Sequence, residues 1–136
     1  IIDSLYKEID TLNNRLEIYD FVDMETNMIS ALIFVESSGN DSAYNASEDA
    51  VGCLQIRKTM VDDVNRILKR KGSNLTYTYK CRWNRKKSIE MFNIFCDHYN
   101  LSTAEEIARC WNGGPRGINN PATVKYWEKV QGYINS

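Results

Sequence analysis

Apolar side chains recur at helical spacing along most of the chain. Leu5, Ile9, Leu12, Leu16 and Tyr19 follow one another at steps of four and three, which predicts an amphipathic helix opening after Ser4. A second helix, starting from Asp23 or Thr26 and running from Asn27 to about Glu36, carries Met28, Ile29, Ala31, Leu32, Ile33, Phe34 and Val35. Those positions cover nearly its whole circumference, so it is predicted as the central buried element. From Ser37 to Val51 the chain turns to Ser, Asn, Asp, Ala and Gly, which is loop chemistry. Thr59 with Asp62 should open a third helix, with Met60, Val61, Val64, Ile67 and Leu68 inward and Gly72 as its stop. Asn74 to Lys80 alternates enough for a short strand. Ile89, Phe92, Phe95, Cys96 and Tyr99 mark a fourth helix, and Ser102 with Glu105 reads as a capping box opening a fifth that "NGGP" breaks. A last helix after Pro121 presents Val124, Trp127, Val130 and Ile134.

A chain of 136 residues makes one domain around one core. Its net charge of −1 gives no whole-chain case for binding nucleic acid or an anionic membrane. The basic clusters, Leu68 to Gly72 and Arg82 to Lys87, read as solvated helix ends, since cations suit a helix C-terminus. No run approaches the ~20 apolar residues of a membrane-spanning helix. Cys53, Cys81, Cys96 and Cys110 are widely spaced with a single His98, which makes a zinc site improbable and leaves two disulfides and four buried thiols both open. His98 reads as a surface or satisfied residue.

The end of the second predicted helix raises a chemical question. "ALIFVESSGN" places Glu36 directly after Ile33, Phe34 and Val35. Loss of water disfavours a carboxylate there, and the partial negative charge of a helix C-terminus disfavours it further. A carboxylic acid that keeps its proton near neutral pH can protonate a leaving-group oxygen, the general-acid step in breaking a glycosidic bond. The bland alternative is an outward-turned side chain or one paired with an arginine.

Four blocks, in order, bear on that choice: "VESSGN" (Val35 to Asn40), "AVGCLQI" (Ala50 to Ile56), "ARCWNGGPRG" (Ala108 to Gly117) and "VKYWEKVQGY" (Val124 to Tyr133). Together they resemble the lysozyme superfamily. The first two are similar to soluble-lytic-transglycosylase and goose-type lysozyme domains, with Cys53 and Leu54 in place of the usual Leu and Met. The last two are closer to invertebrate-type lysozymes. The resemblance implies a mainly α, lysozyme-like α+β fold: one compact helical domain around the central helix, with a polar active-site loop and at most a small β element. It implies that Glu36 is the catalytic acid and that Ser37, Gln55, Trp111, Asn112, Gly113 and Tyr126 contact substrate. A second catalytic group would come from the loop, where Glu48, Asp49 and Ser47 are candidates. Counting from Glu36 favours Glu48, whereas counting back from Gln55 points to Asn45. Asp41 and Ser42 lie in the same loop.

The implied reaction is cleavage of the β-1,4 bond between N-acetylmuramic acid and N-acetylglucosamine in peptidoglycan. The E-S and G-x-x-Q style favours a lytic transglycosylase, with a hydrolytic muramidase as the alternative. A non-catalytic glycan-binding or virion structural domain is the reading of a different class. The partners expected are peptidoglycan strands, with no nucleic acid, no membrane span, no metal and no cofactor. The chain would act as a monomer or as a domain of a larger protein, outside the cytosol or in a phage particle.

Overall fold

The computed structural model of the chain describes residues 27–135. The helix expected over Leu5 to Tyr19 lies outside the described residues. Helix α1 is seen over 27–37. It is followed by strands β1 (Tyr44–Asn45) and β2 (Ala50–Val51), and by helices α2 (Lys58–Arg70), α3 (Arg85–His98), α4 (Ala104–Gly113) and α5 (Val124–Ile134). Three 3-10 turns complete the order, Tyr79–Trp83 before α3 and Gly117–Asn119 and Pro121–Thr123 between α4 and α5. Among the described residues the fold is thus mainly helical with one two-stranded sheet.

Helix α1 buries Met28, Ala31, Leu32 and Ile33 against Leu54, Ile56, Val61, Val64, Phe95, Ile107 and Val130. Its burial is one-sided: Phe34 is 51% exposed and stacks on Tyr133 of α5, ring centres 4.6 Å apart. The helix ends where Ser38 (φ 53°) and Gly39 (φ 83°) turn left-handed, and Ser38 N–H closes on Phe34 O at 2.9 Å.

The stretch read as loop folds into a short antiparallel hairpin, Tyr44 opposite Val51 and Asn45 opposite Ala50, extended by a bridge from Val51 to Ile56. The strand expected over Asn74 to Lys80 is absent. Residues 73–78 are irregular and run into the 3-10 turn. The amide of Asn65 on α2 takes the place of a partner strand, donating to Tyr77 O and accepting from Tyr77 N–H, both at 2.9 Å. The Tyr77 hydroxyl donates to Glu90 at 2.7 Å.

Two helix starts differ from expectation. Helix α2 begins at Lys58, with extended Arg57 at its cap and no side-chain cap bond, so Thr59 lies inside the first turn. Helix α4 is capped by Thr103, whose hydroxyl accepts from Glu106 N–H at 3.1 Å and donates to the Glu106 carboxylate at 2.9 Å. The two basic clusters also part ways. Lys69 and Arg70 close the last turn of α2 as expected, but Arg85 to Lys87 open α3, the end that disfavours cations. Asn84 caps that end through Lys87 N–H at 2.9 Å, and Arg85 is held by Asp41 at 2.8 Å. Arg82 is buried.

On α5, Val130 is buried while Val124 and Ile134 are exposed, so the inward face runs through Tyr126, Trp127 and Val130. No disulfide joins the four cysteines, of which Cys53, Cys96 and Cys110 are buried. His98 packs edge-on to the Tyr99 ring.

Candidate active site

The C-terminal end of α1, the hairpin, the start of α2, the end of α4 and one face of α5 enclose a cleft of about 540 Å³. Glu36 enters it from α1 and Tyr126 and Lys129 from α5. Asn45, Glu48 and Gln55 come from the hairpin and the turn after it, and Arg57 from the start of α2. Trp111, Asn112 and Gly113 line it from the end of α4. Elements distant in sequence are brought together because α1 and α5 pack on a common core and Gly52 reverses the chain between β2 and Gln55.

Glu36 is half-buried, and removal of its carboxyl from water pushes its pKa up to about 7. The next influence, the Tyr126 hydroxyl, acts the other way, as do the charges of Arg57 and Lys129, while the Glu48 charge adds to the rise. The Tyr126 hydroxyl is buried facing that carboxyl and falls short of hydrogen-bond geometry with any partner among the described residues. Burial, and then the facing Glu36 carboxylate, push its own pKa well up, so it remains a donor. The arrangement suits an acid that must give up a proton and take it back. Burial favours the protonated form up to about pH 7, and two cations and a phenol limit the cost of the ionised form.

Gln55 adopts φ 50°, and its amide nitrogen donates to Ala43 O at 3.2 Å and Gly52 O at 3.0 Å. Both hydrogens are thereby committed to the main chain, which leaves the side-chain oxygen as an acceptor. Trp111 is more core than platform. It is 8% exposed, its indole N–H donates to Leu54 O at 3.3 Å, and its ring meets Phe92 and Phe95 edge-on at 5.1 and 5.7 Å. Asn112 is exposed at the cleft edge. A Cβ on Gly113 would meet the Thr123 methyl at 2.6 Å, so a glycine there lets α4 end tight against the turn before α5.

Three of the residues expected at the site lie off the cleft wall. The Ser37 hydroxyl lies 2.8 Å from Cys53 O and 3.0 Å from Ile33 O and ties the end of α1 to the segment before Gln55. Ser47 donates to Asn45 Oδ1 at 2.8 Å from the exposed hairpin turn. Asp49 (φ 49°) turns to Lys58 at 3.5 Å and Arg82 at 3.6 Å. Glu48 does line the cleft, paired with Arg57 at 2.8 Å, both about half exposed. Asn45 lines it too, so both ways of counting along the loop reach a cleft residue.

Arg57 and Lys129 were not legible as site residues. Lys129 follows Tyr126 by three positions on α5 and so shares its face, which was the available signal. Arg57 carried none. Among the described residues no three His, Cys, Asp or Glu side chains converge to hold a metal ion, and no helix is long and apolar enough to cross a membrane.

No protein-family model matches the chain. A stretch of 29 residues is 55% identical to a lysozyme of Magallana gigas and covers 21% of this chain and 21% of that protein. The chain therefore matches about a fifth of the length of that relative, and this short match supports a lysozyme-like relationship.

Proposed function

We propose that this domain cleaves the β-1,4 bond between N-acetylmuramic acid and N-acetylglucosamine in peptidoglycan, with Glu36 as the general acid. The observation that carries this is a half-buried carboxyl at the end of α1, its pKa pushed up by burial to about 7, facing a cleft lined with amide side chains. Asn45, Gln55 and Asn112 offer hydrogen-bond partners of the kind sugar hydroxyls and N-acetyl groups take. Glu36 gives its proton to the glycosidic oxygen, the bond from that oxygen to C1 of the muramyl sugar breaks, and an oxocarbenium-like species forms.

Two steps can complete the reaction. In the lytic-transglycosylase reading, the muramyl 6-hydroxyl attacks C1 and returns its proton to Glu36, leaving a 1,6-anhydro end. Two features support it: the Glu36-Ser37 and Gly52 to Gln55 blocks have the transglycosylase style, and the neighbouring acid Glu48 is tied to Arg57. The hydrolytic reading is favoured by one observation, that Glu48 lines the same cleft as Glu36. There Glu48 would direct a water, and the product would carry a reducing end.

Mass spectrometry of digested peptidoglycan tests both levels. Wild type should release muropeptides and Glu36→Gln should release at least about 100-fold fewer. Equal release by the two would remove Glu36 as the acid, and binding of glycan without release by either would leave a glycan-binding domain. Anhydromuramyl ends with Glu48→Gln still active support transglycosylation, while added water and loss of activity in that variant support hydrolysis.

A further inference from the structure

We propose that Arg82, outside the cleft, is a positioning residue that clamps the loop carrying Glu48 and Gln55 into its working shape. Arg82 is 5% exposed. One nitrogen of its guanidinium donates to Asp49 O at 2.8 Å and to Ile56 O at 3.1 Å, so a single group joins the two ends of segment 49–56. Its Nε donates to Tyr79 O at 2.8 Å, which anchors the clamp in the 3-10 turn before α3. The Asp49 carboxylate stands 3.6 Å away and offsets the charge. The main chain of the same residue packs against the middle of the segment. The Arg82 carbonyl accepts from the buried Ser88 hydroxyl at 3.1 Å and lies so close to Gly52 that a Cβ there would fall 1.9 Å from it.

The segment needs such a hold. Asp49, Gly52 and Gln55 all take left-handed backbone, φ 49°, 84° and 50°, and two of them pay the steric cost of a side chain there. Conformations of that kind persist only where the surroundings over-determine them. A guanidinium suits the task better than an ammonium, because its planar fork reaches several carbonyls in fixed directions. The loop in turn places Glu48, Ala50, Gln55 and Ile56 on the cleft wall. Its departure would admit water to Glu36, whose titratable neighbours among the described residues are Tyr126 and Lys129 from α5 and Arg57 and Glu48 from this side.

The inference rests on the glycosidase reading for its kinetic consequence, and the test separates the two. Arg82→Lys and Arg82→Ala are compared with wild type by amide hydrogen exchange, by thermal unfolding and by cleavage of peptidoglycan across pH. Exchange over residues 44–57 should rise at least about tenfold in both variants, while the core amides of α2 and α3 change far less. Turnover should fall about 10- to 100-fold, the upper pH limb of activity should move to lower pH, and millimolar ethylguanidinium should restore part of the Arg82→Ala turnover. If Arg82→Ala fails to fold, Arg82→Lys carries the test by exchange and pH limb. Unchanged exchange over 44–57, or a loss of turnover matching the unfolded fraction with the pH limb unmoved, overturns the clamp. A wild type that cleaves nothing refutes the glycosidase reading alone, and the exchange result then still decides whether Arg82 holds the loop.

Discussion

At Glu36 the price of burial and the demands of acid chemistry coincide. The unfolded chain gives up this proton near pH 4.5 and the folded chain near pH 7. Between those values the native state binds the extra proton, so stability falls as pH rises through the window and levels off above it. The magnitude is roughly 3–4 kcal/mol at about 1.4 kcal/mol per pKa unit. Glu36→Gln should therefore be more stable than wild type at pH 8, with a melting-temperature difference that shrinks toward pH 4.5. A difference that stays constant across this range would show that Glu36 does not titrate there. Tyr126 makes the complementary case. Its hydroxyl opposes the rise at Glu36, and it is buried without a hydrogen-bond partner among the described residues. Tyr126→Phe should move the upper pH limb of activity to higher pH and change stability by no more than about 1 kcal/mol. A downward move would contradict the account.

At the scale of elements, the helices were legible because their apolar positions repeat at helical spacing, and the rest was not, for reasons seen in particular residues. The stretch "STAEE" contains two overlapping capping boxes, Ser102 with Glu105 and Thr103 with Glu106. Propensity does not choose between them. The structure takes the second, which frees Glu105 to pair with Arg109 one turn on, at 2.8 Å. Thr103→Ala should cost about 1 kcal/mol and Ser102→Ala far less, measured by urea unfolding. The reverse order would assign the cap to Ser102. The small β element was expected, but not its position, because each strand is only two residues long, too short for an alternation to register. The alternation at Asn74 to Lys80 misled because Asn65 supplies from a side chain the hydrogen bonds a strand partner would give.

For the molecule as a whole, the cleft is a consequence of how the helical core and the hairpin meet. As residues of the cleft wall, Glu36 was legible because it breaks a hydrophobic run, and Gln55, Asn112 and Tyr126 because they sit in recognisable blocks. The placement of Glu48 against Ser47 and Asp49 was not, since it depends on the left-handed turn at Asp49 and on the ion pairs of Arg57 and Arg82. Gly52 is the tightest point of that assembly. Its φ of 84° and the Arg82 carbonyl where a Cβ would lie leave no room for a side chain. Gly52→Ala should destabilise the fold by roughly 2 kcal/mol or more, with thermal unfolding as the readout. A loss under about 0.5 kcal/mol would mean that the loop tolerates a different path.

The expectations about activity turn on a single proton. The most direct measurement is a carbon-13 NMR titration of the glutamate side-chain carboxyls, with the Glu36 resonance assigned by its loss in Glu36→Gln. The account predicts a midpoint near pH 7 for that one signal, in line with the effect of burial at the end of α1. A midpoint near 4.5, the value of an unburied glutamate, would contradict it.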